Sequence, residues 1–354
     1  MLFVIISIIV IVLVLAISIY YYAFRYEPVN FKLSEVNINI NNSISTGVNI
    51  TGIPALTILH LSDFHLRKDR KGEKLFKFIQ TLSSLKADFI FFTGDMVEKN
   101  ENFGYLSSML SGLKANYGKY AVFGVHDYFN KTPLEFLKNM VKRKKEYKRQ
   151  NDIPELISVL NSTDIRVLRN ENVTIDLERK NHLKNPLRKI EIIGLEDSFV
   201  GKTDIEKSFR GLEEEKKSGS GKIETGVDSF LRKRNKDQYK EVFILNEENS
   251  HVLNNPDTLR ISLTHTPDYD LLVDLSKKNV DIIMCGHTHG GQVRLPGIGA
   301  LISGCNIKTR YTSGLFYFKK FILFITRGLG EGRYSPFRFY CQPEANFIKI
   351  FINS

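Results

Sequence analysis

Apolar and polar positions follow a regular order along this chain, after an unusual start. Residues 2–24 carry no charge and are almost wholly apolar. As a helix this run would measure roughly 34 Å, against about 30 Å for the hydrocarbon core of a bilayer. Tyr20, Tyr21 and Tyr22 close the run and Arg25 follows it, an aromatic belt with a positive flank. The basic start and small-residue cleavage site of a secretory leader are not visible, so the pattern predicts a retained, single-pass membrane anchor over residues 1–25. Arg25 and Lys32 follow the run while no Lys or Arg precedes it, which predicts that the remainder lies on the cytoplasmic face.

A polar, β-branched connector over 26–54 holds a candidate first strand near 36–40. From residue 55 to 354 the pattern is that of one catalytic domain. A strand at 56–61 runs straight into Asp63 and His65. Helical spacing follows at Leu75, Phe76, Ile79, Leu82 and Leu85. A strand at 89–92 ends in Gly94 and Asp95, and a helix at about 103–113 leads to a strand at 120–123 that ends in Val125, His126 and Asp127. Strand, polar cluster and helix thus repeat three times. This is the α/β pattern, in which ligands gather beyond the carboxyl ends of strands. Further strands are predicted at 165–176 and 190–194, and at 259–264, which delivers His265. Pro267 opens the next helix. A buried strand at 282–285 presents His287 and His289 among Gly286, Gly290 and Gly291. Strands at 316–318, 321–325 and 346–351 are assigned to a second sheet. The basic run 140–150 reads as a solvated helical face. From about 199 to 257 Lys, Glu, Ser, Gly and Asn dominate, which predicts an insertion with disordered parts.

Composition narrows the partners. The 354 residues carry a formal net charge of +11, which favours anionic partners such as a lipid surface or a nucleotide. A basic stripe with interleaved aromatics is missing, so nucleic acid is not expected. Three cysteines, without a CxxC spacing, argue against a disulfide framework or a zinc ribbon.

The candidate chemistry sits at the strand ends: Asp63, His65, Asp95, His126, Asp127, His265, His287 and His289. Five of the eight histidines fall there, and imidazole is the commonest neutral metal ligand near pH 7. The motifs DxH, GD, GxHD, a later strand-end His and GHTH together resemble the calcineurin-like metallophosphoesterases, over residues 56 to about 350. The resemblance implies a four-layer αββα sandwich and two divalent metal ions. One would be held by Asp63, His65, Asp95 and His289, the other by Asp95, His265 and His287, with Asp95 bridging. His126 would serve as the acid near the leaving group, oriented by Asp127. Two such ions clamp a phosphoryl group and make hydroxide from water, and mixed N/O ligands suit Mn²⁺, with Fe or Zn as alternatives. Arg294 and Arg327 are candidates to hold an anionic substrate. One residue departs from the family pattern: Val125 stands where the family has an asparagine that supplies a metal ligand, with Asn130 a candidate replacement.

The tail, GHTHGGQVRLPG at 286–297, Arg327 to Gly330 and Pro336 to Arg338, is similar to a membrane-associated bacterial subgroup. Some of its members cleave the pyrophosphate of UDP-2,3-diacylglucosamine in lipid A synthesis. The leading expectation is therefore a membrane-anchored hydrolase of a phosphodiester or pyrophosphate, acting on a phosphorylated small molecule or a lipid-linked substrate. The alternatives are a nuclease or cyclic-nucleotide phosphodiesterase, and a catalytically weakened binding protein at the membrane, which Val125 would favour.

Overall fold

The computed structural model describes residues 1–41, 53–130, 149–177, 187–212, 251–332 and 335–353. In chain order the described strands are β1 (Lys32–Asn41), β2 (Leu56–Leu61), β3 (Ala87–Thr93), β4 (Ala115–Val122), β5 (Ile165–Val167), β6 (Glu171–Asp176), β7 (Lys189–Gly194), β8 (His251–Val252), β9 (Thr258–Leu263), β10 (Ile282–Cys285), β11 (Arg294–Leu295), β12 (Gly299–Ala300), β13 (Gly314–Tyr317), β14 (Ile322–Ile325) and β15 (Glu344–Asn353). One sheet has the order β5-β4-β3-β2-β15-β1-β8, a second β13-β14-β10-β9-β7-β6, and β11 with β12 forms a small hairpin.

The alternation of strand side chains explains why the sheets stack. Leu59, Leu61, Ile90 and Phe92 turn to one face of the first sheet and pack against the helices α2 (Arg70–Thr81), α3 (Phe103–Leu110) and, further along, Ile153–Asn161. Their neighbours Leu56, Ile58, Phe89 and Phe91 turn the other way, onto Ile190, Ile192, Ile261, Met284 and Phe324 of the second sheet. On that sheet Ile193, Ile283, Cys285, Leu323 and Ile325 again point outward, onto the helix Tyr269–Leu275. Three apolar interfaces separate four layers, so the αββα sandwich is present. Strands buried on both faces read as continuous apolar runs, which is how β10 and β14 look in the sequence.

Three expectations change. β15 belongs to the first sheet, where it lies between β2 and β1, and not to the second. Nothing in its own composition distinguishes the two sheets; long-range pairing decides. The predicted strand at 165–176 is two strands, β5 and β6, one in each sheet. Asn170 breaks them with a left-handed φ of 53°, a conformation asparagine tolerates. The proposed insertion is structured at both ends, with a helical turn at Ile205–Ser208 and β8; residues 213–250 and most of the basic run 140–150 lie outside the described residues.

At the other end α1 (Leu2–Tyr21) continues through a π turn, Tyr22–Tyr26. Together they form a helix long and apolar enough to cross a membrane, and the side chains of α1 are not buried by any of the described residues. β1, placed in the connector by its sequence, pairs in parallel with β15 from Lys32 opposite Glu344 to Asn41 opposite Asn353.

Candidate metal centre

The parallel strands β2, β3 and β4 of the first sheet and β9 and β10 of the second end on the same edge of the sandwich, and their next residues converge. Asp63 and His65 follow β2, Asp95 follows β3, His126 opens the loop beyond β4, His265 follows β9, and His287 and His289 follow β10. Hydrogen bonds stitch these ends together: Asp63 N donates to Gly94 O (2.9 Å), His65 N to Asp95 O (3.0 Å), and Gly286 N to His265 O (3.0 Å). Five of the candidates, Asp63, His65, Asp95, His287 and His289, have φ between 43° and 68°. For non-glycine residues this left-handed region is sparsely populated and costs of order 1–3 kcal/mol each. Glycines adjoin Asp95, His287 and His289, and at the site's closest approaches nothing larger fits. A Cβ on Gly124 would lie 2.3 Å from Asp95 Oδ1, and one on Gly286 2.4 Å from Asp63 Oδ2.

Within the cluster the donor atoms face one another. His65 Nε2 is 3.1 Å from His289 Nε2 and 3.7 Å from Asp95 Oδ2. His289 Nε2 is 3.6 Å from Asp63 Oδ1. On the other side His265 Nε2 is 3.1 Å from Asp95 Oδ2 and 3.3 Å from His287 Nδ1. The donor atoms of Asp63, His65 and His289, and separately those of Asp95, His265 and His287, lie within 4.8 Å of each other. Mixed imidazole nitrogens and carboxylate oxygens, buried and aimed at common points, are a donor set that fits divalent cations. Burial pushes down on the His265 imidazolium, but Asp95, hydrogen-bonded to it, outweighs that and raises its pKa well above the ordinary value. Burial, followed by the nearby His65 and Arg338, drives His289 well below, toward a neutral imidazole.

A family model, Calcineurin-like phosphoesterase, matches residues 56–291, which span this whole constellation. The chain belongs to that family. It is similar to the uncharacterized metallophosphoesterase YkoQ of Bacillus subtilis, 27% identical over 308 residues that cover 84% of this chain and 86% of that protein. It is similar also to the UDP-2,3-diacylglucosamine pyrophosphatase LpxG of Chlamydia muridarum, 26% identical over 326 residues, 82% of each chain. A second Bacillus subtilis metallophosphoesterase, YkuE, is 26% identical over 302 residues, covering 84% of this chain and 80% of that one. The chain is thus a metal-dependent phosphoester hydrolase by family, and members of this family use divalent metals.

Within that family frame, several side chains sit where sequence spacing did not put them. Asp127 does not hold the His126 ring. It is fully buried, and its carboxylate accepts the backbone amides of Gly124 (2.9 Å), Asp95 (2.7 Å), Met96 (2.8 Å) and Val97 (3.1 Å). It ties the loop after β3 to the one after β4, and burial together with the neighbouring Asp95 charge pushes its carboxyl up to about 7. The carboxylate facing His126 is Glu98, 3.8 Å from Nδ1, which also lies 3.1 Å from His65 Nδ1. A carboxylate on the far nitrogen of a ligating histidine fixes its tautomer and orientation. The His126 amide, in turn, donates to Asp95 Oδ1 (2.8 Å).

Arg338 is the largest fully buried side chain. Its guanidinium donates to the carbonyls of Arg327 (2.9 Å), Cys341 (3.2 Å), Gly328 (3.3 Å) and Gly330, and lies 3.4 Å from His289 Nδ1. Arg294 donates to Gly290 O (2.9 Å) and reaches the hydroxyls of Thr312 and Ser313, both at 3.3 Å. Arg327 stands 3.8 Å from Glu344. Phe199 sets its ring edge against His287, 5.0 Å between centroids. Val125 begins a short helical turn and is buried, and a valine offers no oxygen to the group of Asp95, His265 and His287. Asn130 lines a cleft with Lys99, Asn100, Glu101, Arg149, Gln150 and Asn151, whose lining includes none of the candidate metal ligands.

Proposed function

We propose that the chain is a membrane-anchored hydrolase of phosphodiester or pyrophosphate bonds, acting on a lipid-linked substrate of the UDP-2,3-diacylglucosamine type and so serving lipid A synthesis. The observation that carries the reading is the convergence of Asp63, His65, Asp95, His265, His287 and His289 on one buried edge of the sandwich. In this reading Asp63, His65, Asp95 and His289 hold one divalent ion, and Asp95, His265 and His287 hold a second, with Mn²⁺ the expected metal. When bound, such ions neutralise phosphoryl charge and activate water. His126, a sixth exposed along its side chain, donates the proton that the leaving oxygen needs, and Glu98 orients it. Arg294 and Arg327 are the candidate anion-holding side chains in this reading. The apolar helix and the likeness to LpxG support the lipid-linked substrate; the positive flank at Arg25 and Lys32 is the ground for setting the catalytic domain on the cytoplasmic face.

The test is release of UMP from UDP-2,3-diacylglucosamine by the detergent-solubilised, Mn²⁺-loaded full chain, beside hydrolysis of bis(p-nitrophenyl) phosphate. UMP release is expected, and Val125→Asn should bind the second ion more tightly and turn over faster. Hydrolysis of the chromogenic diester without UMP would reject the nucleotide-lipid substrate and leave the diesterase. Metal bound without turnover of either would favour the binding-protein reading that Val125 suggests.

A further inference from the structure

Residues 295–302, Leu-Pro-Gly-Ile-Gly-Ala-Leu-Ile, contain no charge, yet they project from the protein as the β11–β12 hairpin and its flank. Ile298 is 71% exposed, Ile302 66% and Leu301 50%. Ile298 forms the tip, while Leu301, whose N bonds Val293 O, and Ile302 stand at the base of the hairpin; large aliphatic side chains grouped on one element mark a contact surface more often than scattered ones do. What they contact follows from the direction in which the tip points.

Phe24 packs on Phe337, with 4.9 Å between ring centroids, and Tyr22 packs on Phe339 and Tyr340, at 5.7 and 6.0 Å. Arg338 N bonds to Ala23 O between them. Moving along the helix toward its apolar length therefore runs the same way as moving from Phe337 to Tyr340. Val293 bridges Phe339 in parallel, and Arg294 N bonds Phe339 O. The chain from Val293 to the tip consequently heads in that direction too. With Leu295 opposite Gly299, the tip extends about three residues, or ~10 Å, past the level of Phe339. Interfacial apolar groups sink by about 5–10 Å into the headgroup and acyl boundary, so the reach matches. Lys308 and Arg310, both exposed, stand at the start of and within the turn Thr309–Tyr311 that packs on β12, and suit anionic headgroups.

We propose that the 295–302 hairpin is a second membrane contact, its apolar tip entering the leaflet surface beside the anchor. The inference rests on the anchored reading above. Its consequence for the site is direct, because the hairpin is rooted in it. Arg294 bonds Gly290 O at the near end, and Gly304, two residues past Ile302, sets its carbonyl 3.4 Å from His287 Nε2. A tip held in the headgroups keeps the mouth of the metal centre at the lipid surface, where a lipid-linked phosphate arrives without leaving the bilayer.

The protein contains no tryptophan, so single Trp variants of the full chain report depth cleanly. Ile298→Trp, Leu13→Trp and Tyr117→Trp are each reconstituted in phosphatidylcholine and phosphatidylglycerol vesicles whose acyl chains are brominated. Expected are quenching and a blue shift for Ile298→Trp, deeper quenching for Leu13→Trp, and none for Tyr117→Trp. Quenching at Leu13→Trp but not at Ile298→Trp overturns the hairpin contact while the anchor stands, as it would if a second copy of the chain covered the tip. No quenching at Leu13→Trp removes the anchor, and the inference with it. An Ile298→Asp variant should lose turnover of vesicle-embedded substrate and keep kcat/KM for soluble bis(p-nitrophenyl) phosphate; unchanged turnover of both substrates would count against the contact.

Discussion

Asp95→Ala should abolish metal-dependent hydrolysis of bis(p-nitrophenyl) phosphate, by at least about 100-fold in kcat/KM. Loss of hydrogen-bonding support around a metal site already costs 10–100-fold, and Asp95 touches the ligands themselves. Its Oδ2 faces His265 at 3.1 Å and His65 at 3.7 Å, members of the two donor groups, while Oδ1 holds the His126 amide. Removing the carboxylate leaves the buried imidazoles without the charge that their cations need. The backbone at Asp95 has φ 52°, which alanine tolerates poorly and asparagine well. Asp95→Asn is therefore the cleaner variant. It should keep the wild-type melting temperature, lose bound metal by elemental analysis, and lose turnover. Retained activity in a folded, metal-poor Asp95→Asn protein would contradict the assignment of this residue.

Arg338→Ala should be the most destabilising single change at the site, by about 3 kcal/mol or more. The guanidinium is fully buried and serves carbonyls from Arg327, Gly328, Gly330 and Cys341. Each buried acceptor left without a donor costs about 1–3 kcal/mol. A loss of about 3 kcal/mol corresponds to roughly 5 °C in Tm for a domain of about 300 residues, readable by calorimetry. Arg338→Lys should not restore it, because one ammonium does not reproduce a planar fork of donors. Metal affinity should fall too, since Arg338 and the Gly330 carbonyl both flank His289 Nδ1. A variant with unchanged Tm would show that the carbonyls find other donors.

The ligand candidates were legible in the sequence for a physical reason. Each follows a short apolar run, and glycines beside them allow the close approach that the structure contains. The long apolar helix at the start was equally legible, because a charge-free run of that length reads as one continuous helix. What escaped was whatever depends on pairing across long separations. β15 has the same alternating aliphatic pattern in either sheet, and only its register with β1 and β2 assigns it. Asp127 adjoins His126 in the chain, which suggested a partnership. The helical turn there directs its carboxylate back to the amides of Gly124, Asp95, Met96 and Val97. Glu98 and Arg338 carry no spacing signal at all. Their importance comes from tertiary neighbours 28 to 49 residues away, His126 for the one and His289 for the other.

The place of β15 between β1 and β2 has a consequence for biosynthesis. Ser34 on β1 and its partner Glu344 on β15 are separated by 310 residues. At about 5–20 residues per second, a ribosome needs roughly 15–60 s to deliver the strand that fills the gap. Throughout that interval β1 and β2 have no common neighbour, and the edges that will face β15 stay unpaired. The centre of the first sheet is therefore closed only when nearly the whole chain has been made, so the metal-bearing ends of β2 and β3 gain their full support last.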